Sequence, residues 1–195
     1  MATRRIVGSI LITLGLLLIA AALALAAFNV LEERRAGEAS ADALAQMEMP
    51  STALDSRAAL AADKPMPVME VGGRLYVGTL SIPSLGLELP VLSEWSYDGL
   101  NVAPCRYAGS AYAGNLVICG HNYITHFASL EDLAYGQEVR FTDMRGNAFS
   151  YQVASVEVLE PTAVEDMVQS PYELSLFTCN FSGSARVVVR CTEVL

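Results

Sequence analysis

Three side chains with the makings of a nucleophilic site fall at strand-like ends of this chain. Glu173-Leu174-Ser175-Leu176-Phe177-Thr178-Cys179-Asn180 is an apolar run of strand length that stops at a cysteine. Ser182-Gly183-Ser184 then reads as a turn, and Ala185-Arg186-Val187-Val188-Val189-Arg190-Cys191 returns as a β-branched run with an arginine at its start. Such a hairpin puts the Cys179 thiol and the Arg186 guanidinium at one rim of a sheet. The chain has two histidines, His121 and His126. His121 closes another apolar run, Val117-Ile118-Cys119-Gly120-His121-Asn122, and is expected at a strand end as well. A cysteine is a useful nucleophile when its thiolate is accessible and supported by a base or a positive charge. His121 could take the thiol proton and later give it to a leaving amine. Arg186 cannot act as a base at neutral pH, which leaves it to bind a carbonyl, stabilise an oxyanion or orient a substrate backbone.

Each candidate has a plainer alternative. A cysteine at a strand end is often a small core residue. Arg190 lies four residues beyond Arg186, on the same strand face by the two-residue period, and is the rival for the arginine role. His126 stands beside Phe127 at the start of a predicted short helix, where packing or capping is the expected duty. Cys105, Cys119 and Cys191 are expected as buried free thiols, a bridge to Cys179 being incompatible with its chemistry. The absence of any Cys-x-x-Cys pair argues against zinc. Glu88, Glu94, Asp98, Glu131, Asp132 and Glu165 could supply a calcium site, but a solvated acidic surface is the favoured reading, and no cofactor is expected.

The elements that must position these residues come in two kinds. Ile6 to Phe28 carries no charge and is long enough for the roughly 20 helical residues a membrane span needs. Arg4 and Arg5 before it favour a cytoplasmic N-terminus, although Arg34 and Arg35 lie on the far side. A cleavable signal peptide ending near Ala24-Leu25-Ala26 competes, but the run is long for one, so an uncleaved anchor is preferred. The domain layout is therefore a cytoplasmic end at 1–5, an anchor at 6–28, a stalk at 29–70 and a folded domain at 71–195. The stalk is rich in Ala, Glu, Ser and Asp; short helices over Ala41–Met49 and Thr52–Ala62 would lack a wide apolar face, so the segment should hold the domain away from the membrane.

Beyond Val71, short runs bounded by Gly, Pro, Asn and Asp predict an all-β domain, a closed β-barrel of about seven to eight strands with short helices. Strands are expected near Leu75–Ile82, Leu87–Leu92, Asn115–Gly120, Glu138–Asp143, Ala148–Glu160, Leu174–Cys179 and Ala185–Glu193. Asp143–Asn147 should be a hairpin turn, with Gly146 or Asn147 at positive φ. Phe127–Ala134 is expected as a short helix, and at most one turn of helix is expected around Ala163–Met167. With 12 basic against 21 acidic residues, the charge balance disfavours a nucleic-acid partner.

Ser175-Leu176-Phe177-Thr178-Cys179 resembles the TLxTC signature of sortases, membrane-anchored cysteine transpeptidases of Gram-positive bacteria. Val117–Asn122 resembles their histidine segment, and Arg186–Val194 their final strand. The resemblance covers roughly Arg74 to Leu195 and the anchor-and-stalk layout. It implies a sortase-like barrel in which Cys179 is the nucleophile, His121 the general acid/base, Arg186 the oxyanion or substrate-orienting group and Thr178 part of the oxyanion support. It also implies the partners: surface proteins bearing an LPxTG-like sorting signal, and a peptidoglycan-precursor amine that resolves a thioacyl-enzyme. The catalytic domain would then lie outside the cell membrane. Ser175 replaces the usual threonine, and Cys119 stands where a small apolar residue is more usual. No Asp-Pro-aromatic lid is present, which disfavours a pilin-polymerising type, and the short connection from Pro161 to Tyr172 favours housekeeping-like or sporulation-associated types. A membrane-tethered peptidase using water as acceptor, and a non-catalytic surface-binding module, are the competing functions.

Overall fold

From Met69 onward, β-branched and aromatic residues recur with a two-residue period between Gly and Pro turns, and the chain folds accordingly into strands. The computed structural model of the protein describes residues 2–47 and 62–194. The elements are α1 (Ala2–Gln46), β1 (Met69–Val71), β2 (Arg74–Ile82), β3 (Leu87–Leu92), α2 (Tyr97–Leu100), β4 (Cys105–Ala108), β5 (Leu116–Cys119), β6 (Glu138–Asp143), β7 (Ala148–Leu159), α3 (Val164–Val168), β8 (Leu174–Cys179) and β9 (Arg186–Glu193). The strands order as β1-β2-β3-β4-β5-β8-β9-β7-β6, and a further β2–β6 pairing closes β2 to β9 into an eight-stranded barrel that β1 extends by a hairpin. The β3–β4 and β5–β8 pairs are parallel and the others antiparallel.

Closure depends on a glycine. At Gly78, where the β2–β3 register shifts, an added Cβ would lie 2.4 Å from the Thr142 carbonyl oxygen of β6, so any side chain there would push apart the strands that complete the barrel. Inside, Val77, Leu80, Phe141, Tyr151, Leu176 and Val189 belong to one buried cluster. A second buried cluster, including Leu92, Leu100, Val117, Cys119, Met167, Phe177 and Val188, lies on the opposite face of the β5-β8-β9 wall, under α2 and α3. The split follows the pleat: Leu116, Ile118, Leu174, Leu176, Val187 and Val189 join the first cluster, while Val117, Cys119, Phe177 and Val188 join the second.

The expected strands form, with ends within a residue of those read from the sequence, while β1 and β4 are additional. The Asp143–Asn147 hairpin is present with Gly146 at φ 81°. The segment after Phe127 is a 3-10 turn, Ala128–Asp132, instead of an α-helix.

The segment expected to be a stalk differs over its first part. α1 continues without a break from the apolar stretch to Gln46, and its last turns pack on β3 and on the loop after β5. The predicted helix over Thr52–Ala62 lies outside the described residues, apart from Ala62. The apolar part of α1 is a candidate membrane span; its large side chains, such as Ile10, Leu17 and Leu25, are exposed, as lipid contact requires.

Candidate active site

Strand alternation decides where the chemistry sits. Cys179 shares the phase of Phe177, and Arg186 that of Val188, so both stand on the outer wall of the barrel beside the second cluster. The two are direct cross-strand partners at the last register position of the β8–β9 ladder. The turn between them is ordered by Asn180: its N–H donates to the Ala185 carbonyl at 3.0 Å, its Oδ1 accepts from the Ala185 N–H at 3.1 Å, and its carbonyl accepts from the Gly183 N–H at 3.0 Å. Arg186 Nη1 rests against the carbonyls of Gly183 (3.4 Å) and Ala185 (3.3 Å). Neither partner is a carboxylate, so no counter-charge in these contacts competes with a developing anion for the guanidinium.

His121 arrives from β5, which lies parallel to β8; the Gly120 N–H donates to the Phe177 carbonyl at 3.1 Å and ties the two strand ends together. A Cβ on Gly120 would fall 2.7 Å from the Phe127 ring, which is why glycine precedes the histidine. The loop then folds back, with the Phe127 N–H donating to the His121 carbonyl at 3.1 Å. The imidazole stacks on Tyr123 at 4.7 Å between ring centroids, and its Nε2 lies 3.2 Å from Asn101 Oδ1, just past α2. An amide oxygen can only accept, so Nε2 carries the proton and Nδ1 is the free base. Burial holds His121 below the ordinary histidine value, with Glu32 pulling the other way, so the ring is neutral at pH 7.

Two clefts meet at Cys179. One, of about 290 Å³, is lined by Cys179, His121, Arg186 and Thr178 together with Leu100, Val164, Met167 and four aromatic residues. Those four form a chain of edge contacts, Tyr97 to Trp95 (5.1 Å), Trp95 to Tyr107 (6.1 Å) and Tyr107 to Phe177 (5.1 Å). Among the described residues lining this cleft, Arg186 is the only formally charged side chain. The other, of about 200 Å³, reaches Cys179 past Asn122, Ala128, Glu131, Asn180 and Phe181. The first cleft suits an extended, largely apolar peptide; the second offers a carboxylate and amides to a polar or cationic group.

The four residues singled out in the sequence thus line one cleft, and the two rivals are accounted for elsewhere. Arg190 is buried, donating from Nε to Glu157 (2.5 Å), from Nη1 to Ser175 Oγ (2.9 Å) and the Met167 carbonyl (3.1 Å), and from Nη2 to the Asp166 carbonyl (2.6 Å). It is a strut that fastens α3 to the barrel wall. His126 is fully buried against α1, and burial pushes it down to about 4. Thr178 lies in the opposite strand phase from Cys179; its Oγ1 is buried and has no hydrogen-bond partner among the described residues. All four cysteines are free thiols, and Cys179 is the least buried. Burial raises Cys105 to about 11 and Cys191 to about 12, and raises Cys119 too. The acidic residues weighed for calcium do not gather with others into a group of three or more potential ligands among the described residues. Asn101, Tyr123 and the wall residues Trp95, Tyr97 and Tyr107 escaped the sequence reading because they belong to loops and short elements with no motif of their own, whereas Phe177 lies within the β8 run that ends at Cys179.

A family model described as a Sortase domain matches residues 80–194. Sortase A from Corynebacterium diphtheriae superposes with a TM-score of 0.57 at 19% identity, covering 85% of each chain. The pilus-related sortase C of Group B Streptococcus gives 0.56 at 23% identity, covering 72% of this chain and 81% of its own. Clostridium perfringens sortase C, solved with a C-terminal cell wall sorting motif, gives 0.54 at 20% identity, covering 62% and 71%. No curated protein matches the chain.

Proposed function

The chain belongs to the sortase family, and from that premise we propose that it is a membrane-anchored cysteine transpeptidase acting on an LPxTG-like sorting signal. The observation that carries this reading is the convergence of Cys179, Arg186 and His121 on one cleft, with thiol and guanidinium as direct strand partners.

In the proposed reaction the sorting signal lies along the aromatic cleft with the Thr–Gly carbonyl at Cys179. His121, neutral and with Nδ1 free, takes the thiol proton as sulfur attacks the carbonyl carbon. Arg186 stabilises the resulting oxyanion, supported by the end of β8 around Thr178. The tetrahedral adduct collapses by breaking the Thr–Gly C–N bond, and the imidazolium gives its proton to the departing amine, leaving a thioester on Cys179. A cell-wall amine then attacks the thioester, loses a proton to His121 and releases the thiol. For the amine to outcompete water it must be held in place, which the second cleft can do. That a Clostridium perfringens sortase C has been solved with a sorting motif supports the substrate class. α1 would anchor the enzyme with its N-terminus inside and the domain over 71–195 outside.

The test uses the full chain in detergent or vesicles, a fluorogenic peptide containing Leu-Pro-x-Thr-Gly and a glycine-rich amine. The wild type should yield the aminolysis product and C179A none. Free acid as the sole product would point to a peptidase, and absence of any Cys179 adduct with a thiol-reactive sorting-signal mimic would point to a binding module; either outcome overturns the proposal.

A further inference from the structure

We propose that the catalytic domain is docked directly on its own membrane helix, so that the loop beside His121 rests on the lipid headgroup layer. The surface is the Tyr123–Thr125 loop, and its partner is the bilayer that α1 crosses. The inference goes beyond the acyl-transfer reading and rests only on α1 being a span.

The chain carries no charge from Ile6 to Leu31, and the first charged residues after that are Glu32, Glu33, Arg34 and Arg35. α1 does not stop there. Its next turns present Glu33, Ala36, Gly37, Ser40 and Ala43, spaced three and four residues apart along one face, and Ala36, Ser40 and Ala43 are buried. Glu33 Oε1 accepts from the Ile124 N–H at 2.9 Å, and the Glu33 carbonyl accepts from Thr125 Oγ1 at 3.4 Å. Ser40 Oγ donates to the Val102 carbonyl at 2.7 Å and lies 3.2 Å from His126 Nε2, which therefore carries the proton and donates to it. Close approach needs small residues: a Cβ on Gly37 would sit 2.9 Å from Thr125 Cγ2. These contacts are specific, partly buried and polar, unlike the chance brush of a tether against a domain.

Depth follows from helix geometry. At 1.5 Å per residue, Glu33 lies within roughly 5 Å of the end of the uncharged stretch, which is the level of the headgroups. Ile124, hydrogen-bonded to Glu33, is 74% exposed, and Tyr123 beside it is the aromatic type favoured at membrane interfaces. Tyr123 also stacks on His121, so the surface facing the headgroups is continuous with the catalytic loop. The exposed Phe181 is tied to the same loop through Asn122 Nδ2, which donates to the Asn180 carbonyl at 3.4 Å.

The test needs no turnover, so its failure and failure of the acyl-transfer reading are distinguishable. In a W95F background, tryptophan is introduced as I124W or as E88W. Glu88 lines a hollow with Leu44, Ala45 and Met47, roughly 16 Å further along α1 from Glu33. The full chain is placed in phosphatidylcholine vesicles with and without a nitroxide on the choline headgroup. Emission from I124W should be quenched at least about twice as strongly as that from E88W, as a headgroup layer only several ångströms thick requires. Adding G37L, which forces the helix off Thr125, should bring I124W quenching down to the E88W level, and the milder E33A should give an intermediate value. Equal quenching of I124W and E88W, or I124W quenching that neither G37L nor E33A reduces, would overturn the proposal.

Discussion

Two arginines four residues apart on β9 should fail in different ways when each is cut to alanine. Among the described residues, the Arg186 guanidinium hydrogen-bonds two turn carbonyls, both at long distance. Its loss should change folding stability by no more than about 0.5 kcal/mol, as for a surface substitution. If it stabilises the oxyanion, the same change should lower kcat about 10²- to 10³-fold. R190A reverses the pattern. It leaves the buried Ser175 hydroxyl and the Met167 carbonyl without their donor, takes one from Asp166, and removes the partner of Glu157. At roughly 1–3 kcal/mol for each buried polar group left unmade, discounted for water reaching Glu157 and Asp166, the total comes to about 3–5 kcal/mol. That corresponds to a fall in Tm of roughly 10–20 °C for a domain of this size. Because Arg190 holds α3, whose Val164 and Met167 line the aromatic cleft, R190A assayed well below its Tm should raise KM more than it lowers kcat if the proposed peptide lies there. Thermal melts and steady-state kinetics on both variants decide the matter. Equal Tm losses, or a kcat collapse in folded R190A matching that of R186A, would refute this division of labour.

Three further outcomes follow from the buried groups. His126 is held at about 4 against an ordinary value near 6.5, so the unfolded chain binds its proton first as pH falls; stability is fully present above pH 6.5 and declines toward pH 4 by about 3 kcal/mol, and H126Q should flatten that part of the Tm-versus-pH curve, whereas parallel curves for the two proteins would contradict it. T178V removes a buried hydroxyl without a partner and should raise stability by about 1 kcal/mol, while a loss of kcat in the same protein would reveal that Oγ1 is used during turnover. Iodoacetamide at neutral pH should add one carbamidomethyl group to the native chain and none to C179A, because burial raises the other three thiols; a second rapid adduct on the native chain would count against that.

Most of the barrel was legible because its strands are long, β-branched and bounded by turn residues; β3, β6 and β8 carry their limits openly in the sequence. β4, four residues long and pairing with β3 at a single position, has no such signal, and β1 exists only as the return arm of a tight hairpin. The three residues proposed for the chemistry could be picked out because each stands at the boundary of an apolar run, Cys179 and His121 closing theirs and Arg186 opening its own, and the phase of β8 and β9 then puts Cys179 and Arg186 on a common face. The docked half of α1 was not. Hydropathy measures large side chains, and the face that meets the domain is built from Ala, Gly and Ser, whose value lies in letting backbones approach and not in apolar area. Likewise the buried partners that set Arg190 apart from Arg186 could not be read from spacing.

The arrangement of two clefts sharing one sulfur has a consequence for kinetics. In the proposed reaction the amine that leaves and the amine that arrives occupy the same position relative to the thioester and exchange protons with the same His121. The cut tail of the donor must therefore vacate the polar cleft beside Glu131 before an acceptor can settle there, and the two compete for a single seat. Turnover at high donor concentration would then be slowed by the released tail in competition with the acceptor amine, while the aromatic cleft stays filled by the acyl portion throughout. The enzyme would behave as a turnstile whose pace is set by departures on the polar side.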